Sequence, residues 1–216
     1  LNVVFSDWKK FAFKLLTIST FLLLSIEPIS SPLIPPITDD RWFSPTDFGL
    51  KAKSGAKEAD LPAWIERYFE TIASPDRISR IWELPSVPRP FSAWKDFRSG
   101  EWDGGHGVIF PHQLAETDRS LLWEQWHRTP DADRAIADLG SQLVSKLNLG
   151  DDEVVDYFVI GFSALGMIGE DYGPYSLERV SALMELDRVI GDFLLGLEDA
   201  TGKTTLVGLT ADHGVA

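Results

Sequence analysis

Near the end of the sequence, an aspartate and a histidine stand side by side in the tripeptide Asp212-His213-Gly214. A carboxylate and an imidazole are natural ligands for zinc and similar divalent ions, and Gly214 allows the backbone to turn sharply beside them. For so short a motif, a helix-capping or other structural role is the alternative. Because the sequence has no cysteine and only four histidines, any metal ion would be held by Asp, Glu or His.

A second group of candidates lies in the glycine-rich stretch 163–176, which contains Glu170 and Asp171. Each carboxylate could bind a metal ion through oxygen, and the competing interpretation makes both of them solvated loop residues. The remaining histidines occur in aromatic-rich segments and are predicted to make packing or backbone contacts: His106, His112 and His127.

Two apolar runs and a helical pattern predict the elements that position these residues. Residues 157–163 and 205–210 are nearly continuous apolar runs, which are typical of strands buried on both faces of a parallel sheet. Between them, apolar residues recur from Val180 to Leu197 at helical spacing, and Gly202 ends the pattern. Strand, helix and strand together predict a βαβ unit with parallel strands.

The parallel arrangement would bring the two candidate groups together. A glycine-rich turn at 166–173 follows the first strand, and the Asp-His-Gly tripeptide follows the second. Both would leave the sheet at its C-terminal edge, where open α/β folds bind ligands. We therefore predict that Gly166 or Glu170 lies within about 10 Å of Asp212.

The remainder of the chain is predicted to be less regular. Apolar residues from Ala132 to Leu147 recur at three and four residues, which predicts a helix that ends before Gly150. A short helix is predicted from Pro62 to Phe69, since proline suits a first turn. Residues 75–112 are rich in Pro, Trp, Gly and Phe, which predicts an irregular segment packed by its aromatic side chains.

The N-terminal residues 1–36 have the pattern of a secretory signal followed by a linker. Lys9, Lys10 and Lys14 precede an apolar run, Leu15 to Ile26, as basic and apolar regions do in such signals. The run is shorter than the roughly 20 residues of a membrane span, so no stable span is expected. We predict a secreted or periplasmic location, with an uncleaved membrane anchor or a buried segment as the alternatives.

Composition limits the class of protein. The 216 residues suit one domain, or one domain with a tail. A hydrophobic fraction of 44% is ordinary for a globular core. The net charge of -13 argues against a nucleic-acid partner, because a phosphate backbone is bound by a basic surface. The oligomeric state is left open.

Three stretches resemble the alkaline phosphatase superfamily. Residues 206–216 look like its late strand and metal motif. Residues 163–176 resemble the motif Ser-Ala-x-Asp-x-x-Gly-His-x-Tyr-Gly-Pro-x-Ser, and Glu185-Leu186-Asp187-Arg188 resembles part of the helix that follows. The resemblance is closest to bacterial alkaline phosphatases with a threonine nucleophile and to type I phosphodiesterase/nucleotide pyrophosphatases. It is strongest over 154–216 and weaker over 61–148.

The resemblance implies an α/β alkaline phosphatase-like fold, of which 37–216 would be a parallel-sheet fragment with an irregular Trp/Pro-rich insertion. It also implies that a small-molecule phosphate ester is hydrolysed at two divalent metal ions, zinc by family. Asp212 and His213 would bind the metal ion beside the nucleophile. For the other metal ion, the motif's Asp and His are replaced by Gly166, which has no ligand atom, and Glu170, which can still bind through oxygen.

Other parts of the family's site cannot be read in this sequence. They are the first metal-binding Asp, the threonine nucleophile, the Ser-Lys-x-Arg phosphate element and the final metal-binding His. We therefore expect a metal-dependent phosphoric ester hydrolase by family that is incomplete or inactive as this chain alone. The alternatives are a noncatalytic pseudoenzyme or binding module on the same scaffold, and an unrelated α/β protein with an accidental motif. Monoesterase and diesterase activity both stay open.

A reporter fusion tests the predicted signal. Residues 1–40 fused to a periplasmic reporter are expected to be exported, because a basic region before a short apolar run directs secretion. In a matched control, Leu22→Arg and Leu23→Arg interrupt the apolar run, and the reporter should stay in the cytoplasm. Cytoplasmic retention of the unaltered fusion would contradict the prediction.

Overall fold

The computed structural model describes four strands between residues 14 and 59 and most of the chain after residue 77. Between these parts it describes the helical residues 64, 67 and 68. After residue 77 the described ranges are 78–102, 105–151, 156–202 and 205–211. The strands are β1 (Lys14–Ser19), β2 (Asp39–Thr46), β3 (Gly49–Ser54), β4 (Lys57–Ala59), β5 (Ile81–Trp82), β6 (His112–Gln113) and β7 (Asp156–Gly161). The helices are α1 (Arg119–Trp126), α2 (Pro130–Lys146), α3 (Ala164–Tyr172) and α4 (Leu177–Thr201).

The larger sheet is mixed, with the strand order β4-β3-β2-β1-β7. Strand β1 is parallel to both β2 and β7, whereas β3 is antiparallel to β2 and β4. The strand predicted at 157–163 is confirmed by β7, which lies at one edge of the described sheet. Strand β1 falls within the segment whose sequence pattern predicts an export signal. All six of its residues pair with β7, and five of them also pair with β2.

The second strand of the predicted βαβ unit is wrong for this structure. Residues 205–211 form no strand, and the side chains of Leu206 and Leu209 are 94% and 84% exposed. A strand needs a neighbouring chain to bond its backbone N–H and C=O groups. Apolar composition identifies a segment suited to burial, but it does not specify the neighbour that a strand requires. Asp212 lies outside the described residues, so its predicted distance from α3 stays a prediction.

The helix predicted between Ala132 and Leu147 is confirmed by α2. Its first residue is Pro130, which has no N–H to leave unbonded in the first turn. Asp131 and Asp133 lie in that first turn, where negative charge stabilises the positive end of the helix dipole. Its buried residues include Leu139 and Leu143, both at 0% exposure.

The long helix predicted around Val180 to Leu197 is confirmed by α4. The Ser176 side chain accepts a hydrogen bond from the backbone N–H of Arg179, which caps the first turn. At the other end, Gly202 adopts the left-handed conformation with φ 60°, as glycine does after many helices. Within the described residues, none of the helices combines the length and the apolar character needed to cross a bilayer.

The glycine-rich turn predicted at 166–173 is wrong, because these residues largely form helix α3. Ala164, Ile168 and Tyr172 recur every four residues and are all buried, so they form one apolar face of the helix. Burial of this face outweighs the cost of two glycines, which is roughly 1 kcal/mol each relative to alanine. Residues predicted to form a loop are therefore part of a helix.

The irregular segment predicted at 75–112 is confirmed, since its described part contains only the short strand β5 before β6. The Trp82 ring packs edge-on against Phe110 at 5.3 Å and against Tyr172 at 6.3 Å between ring centroids. These rings join the buried face of α3 and the apolar side chains of α1 and α2 in one core. The aromatic segment is therefore packed directly against the helix that carries the candidate site.

Gly140 lies where α2 packs against side chains of β7 and α4. A Cβ atom there would lie 3.1 Å from Phe193 Cε2 and 3.2 Å from Ile160 Cδ1. We expect Gly140→Ala to lower the free energy of unfolding by about 1 kcal/mol, because overpacking outweighs the gain in helix propensity. Gly191→Ala on α4 is the matched control, since its Cβ would meet no described residue within 4 Å.

Urea denaturation of the full chain measures both free energies. The control is expected to gain up to about 1 kcal/mol from helix propensity alone. Equal stabilisation by the two substitutions would show that Gly140 is not needed for the close packing.

Candidate functional site

Helix α3 carries both positions at which the resembling motif has metal ligands. Gly166 and Glu170 are four residues apart, so they lie on the same face of the helix, and both are exposed. Among the residues that the structure describes, a Cβ atom at Gly166 would meet nothing within 4 Å. The face is therefore open, with one carboxylate and an adjacent position that offers no ligand atom.

The start of α3 is held by a buried carboxylate from another helix. Asp133 Oδ1 accepts hydrogen bonds from the backbone N–H groups of Ser163 at 3.1 Å and Ala164 at 3.2 Å. These donors belong to the first turn, where a helix has no internal partners for its N–H groups. Asp133 is only 3% exposed, so this bond fixes the junction between β7 and α3 within the core.

Burial has an electrostatic consequence for Asp133. Desolvation raises the pKa of this carboxyl from 3.8 to about 6, although the backbone N–H groups of Ala164 and Ser163 favour the charged form. At neutral pH Asp133 is therefore charged, and its negative charge faces the positive end of the α3 dipole.

The end of α3 is held by an ion pair. Arg128 Nη1 donates to Asp171 Oδ1 at 2.7 Å and to Oδ2 at 2.6 Å. Asp171 is 7% exposed, and desolvation raises the pKa of its carboxyl while Arg128 opposes the rise. Because both carboxylate oxygens bind Arg128, Asp171 is a structural residue. Its interpretation as a solvated loop residue is therefore wrong, and its role as a metal ligand stays untested.

Further contacts involve the three histidines outside the Asp-His-Gly tripeptide. The His112 ring packs at 4.5 Å from Phe110, and its Nε2 atom is 3.1 Å from Glu178 Oε1 in a pair that is fully buried. His106 Nε2 lies 2.9 Å from the Tyr172 hydroxyl, and His127 Nδ1 lies 2.8 Å from the Trp123 carbonyl oxygen. These contacts confirm the packing and backbone roles predicted for the three residues.

The described part of the candidate site does not by itself fit a metal ion. Among the residues that the structure describes, no three His, Asp or Glu side chains are grouped to hold one. Glu170 is exposed on α3, and Gly166 beside it contributes no ligand. Asp212 and His213 lie outside the described residues, so their assignment as metal ligands stays a prediction.

Sequence reasoning missed two residues that position the site. Asp133 was visible only as an acid in the first turn of a predicted helix, 30 residues before the Ser163 N–H that it binds. Arg128 precedes the predicted helix and lies 43 residues from Asp171. Neither pairing leaves a local signal, because both are created by the packing of α1 and α2 against α3.

Comparison with known proteins identifies the family to which the chain belongs. Residues 37–216 match the model of the Type I phosphodiesterase / nucleotide pyrophosphatase family. The chain belongs to this family, which confirms the resemblance seen in the sequence. Members of the family are typically metal-dependent.

Individual relatives are alkaline phosphatases in two of three cases. The chain is 24% identical over 181 residues to alkaline phosphatase PafA of Elizabethkingia meningoseptica, covering 81% of this chain and 33% of that protein. It is 29% identical over 163 residues to a calcium-transporting ATPase of Myroides odoratus, covering 73% and 30%. It is 28% identical over 115 residues to alkaline phosphatase PhoV of Synechococcus elongatus, covering 51% and 20%.

A solved structure supports the same fold. The crystal structure of wild-type PafA superposes with a TM-score of 0.58 at 21% identity, covering 76% of this chain and 32% of that chain. The chain thus has an alkaline phosphatase fold over the matched part. It spans about a third of the length of PafA.

The raised pKa of Asp133 predicts how stability depends on pH. The folded state holds the proton more tightly than the unfolded state, whose carboxyl has its ordinary pKa. The resulting stability is fully present below pH 3.8 and is lost as pH rises to about 6. Asp133→Asn removes this titration but keeps an oxygen that can accept both N–H groups.

Urea denaturation from pH 3.5 to 7.5 compares the two proteins. The wild-type minus Asp133→Asn difference in unfolding free energy should fall with pH, by up to about 1.4 kcal/mol per pH unit. Asp133→Ala should cost more than the Asn variant at every pH, by about 1–3 kcal/mol, because two buried donors lose their acceptor. A difference that is flat with pH would contradict the account.

Proposed function

We propose that this chain is part of a phosphate-ester-binding scaffold of the phosphoric ester hydrolase type, in which one of the two metal positions no longer supports catalysis. The observation that carries the proposal is the exposed Gly166 and Glu170 pair on α3. The resembling motif has Asp and His at these positions, and both are replaced here. Phosphate esters are the substrates expected from the family.

The chemistry of two-metal hydrolysis supports the loss of activity. Such sites use one metal ion at the attacking oxygen and the other at the leaving oxygen, so both must be held. Zinc sites in proteins normally have three or four protein ligands. At the α3 position Glu170 supplies one carboxylate and Gly166 supplies none, whereas Asp212 and His213 would serve the other metal ion.

The contacts at both ends of α3 support a role in binding. Asp133 fixes the start of the helix, and Arg128 fixes its end through Asp171. Buried carboxylates therefore fix both ends of the helix that carries the substituted positions. This observation also supports the second candidate function, a noncatalytic binding module or pseudoenzyme. We further propose the secreted or periplasmic location that the N-terminal pattern predicts.

Restoring the motif residues tests the proposal. In Gly166→Asp with Glu170→His, two ligands four residues apart face the same side of α3, and the open space at Gly166 accommodates the new side chain. We expect this double variant to bind zinc at least roughly tenfold more tightly than the wild-type chain, because the number of ligands at that position rises. Gly166→Ala with Glu170→Gln is the matched control and should show no gain.

Hydrolysis of 4-nitrophenyl phosphate and its bis ester with added zinc gives the second readout. The wild-type chain is expected to turn over far below the roughly 1 per second of an ordinary enzyme. Wild-type turnover in the enzymatic range that is abolished by Asp212→Ala would contradict the proposal. An unchanged zinc affinity of the double variant would remove the assignment of α3 as a metal position.

A further inference from the structure

An exposed aromatic surface lies on the irregular segment that precedes β6. The Trp94 ring packs edge-on against Phe91 at 5.1 Å and against Tyr175 at 6.1 Å between ring centroids. Phe97 follows Trp94 by three residues, and the side chains of Phe97 and Tyr175 are 50% and 63% exposed. These four residues form the aromatic patch. Since Tyr175 lies in the short connection between α3 and α4, the patch is attached to the helices of the core.

The charged side chains of this segment are separated by sign. Three exposed basic residues lie in the range 89–102: Arg89, Lys95 and Arg98. The two acidic residues of the same range turn inward. Asp96 Oδ2 accepts the backbone N–H of Phe110 at 3.0 Å, and Asp96 Oδ1 is buried. Both carboxylate oxygens of Glu101 are buried as well. The outer surface of the segment is therefore aromatic and positive.

The basic side chains lie beside the aromatic rings. The guanidinium carbon of Arg98 is 5.2 Å from the centre of the Trp94 ring, within the range of a cation–π contact. Lys95 and Phe97 flank the inward-facing Asp96 in the chain, and both are exposed. One continuous stretch of chain thus presents cations and aromatic rings to the solvent.

This combination fits the surface of an anionic lipid bilayer. Aromatic side chains favour the interface between the headgroups and the acyl chains, and each nearby Lys or Arg is attracted to the negative headgroups. The net charge of the whole chain is -13, which by itself would oppose such contact. That repulsion decays over a Debye length of about 10 Å at 0.1 M salt, so the charges of the contacting segment decide the outcome.

We propose that the aromatic patch and the three basic residues beside it form a docking surface for an anionic phospholipid bilayer. The protein would lie on the membrane through this surface, without a spanning segment. Because Tyr175 follows α3 by three residues, docking would hold α3 close to the headgroups. The inference goes beyond the proposed function and does not depend on a metal ion at either position.

Vesicle co-sedimentation of the full chain measures the docking. Vesicles of phosphatidylglycerol and phosphatidylcholine in equal parts are compared with vesicles of phosphatidylcholine alone. Each basic residue near the surface contributes roughly fivefold in affinity, so the anionic vesicles should bind the chain at least roughly tenfold more tightly. Raising the salt from about 0.1 M to about 1 M should remove this preference. Absence of vesicle binding would indicate a protein partner instead, and equal binding to both kinds of vesicle would exclude the charge attraction; either result overturns the proposal.

Two matched pairs of substitutions locate the surface. Lys95→Gln should weaken binding to the anionic vesicles roughly fivefold, whereas Lys146→Gln removes an exposed charge at the end of α2 and should leave binding unchanged. Phe97→Ala should weaken it roughly fivefold through lost apolar contact. Leu195→Ala should have no effect, because Leu195 is 65% exposed on α4 at roughly 27 Å along the helix from its first residue.

The comparison between patch and control variants decides where the membrane contact lies. Equal effects of the two lysine variants, or of the two apolar variants, would overturn the proposal, because binding would then not depend on this surface. Circular dichroism checks that each variant folds. If Phe97→Ala does not fold, the lysine pair and the salt dependence of the wild-type chain give the answer.

Discussion

The capping of α3 by Asp133 is the interaction on which the geometry of the candidate site depends. The carboxylate lies in the core, and burial raises its pKa to about 6. It nevertheless satisfies the N–H groups of Ser163 and Ala164 where β7 passes into α3. A buried charge is tolerated only when hydrogen bonds and an opposing field compensate for its lost hydration, and the start of a helix supplies both.

The C-terminal end of α3 is also fixed through a buried carboxylate, that of Asp171. Arg128 binds both oxygens of the nearly buried Asp171, and Tyr172 contacts His106. With both ends fixed, the exposed face between them has a defined direction, and it presents Gly166 and Glu170. At these two positions the resembling motif has two metal ligands, an aspartate and a histidine, and this chain has a glycine and a glutamate.

The sequence predicts the long elements well because their signals are local. Helices α2 and α4 follow from apolar spacing and from the residues at their ends. Helix α3 was missed because Gly166 and Gly169 indicate a turn, whereas the burial of Ile168 and Tyr172 depends on packing that no local pattern encodes. For residues 205–211 the sequence predicts a strand that the structure lacks. An apolar run does not specify the neighbouring strand that must pair with it.

We propose that the exposed face of α3, with Gly166 and Glu170, has lost the ligands of one metal position. Anomalous diffraction from zinc-soaked crystals of the full chain tests it most directly. We expect no zinc ion within about 2.2 Å of a Glu170 oxygen that is also bound by a second protein side chain. A well-occupied zinc ion held there by Glu170 and further side chains would contradict the account, whatever zinc is found near Asp212 and His213.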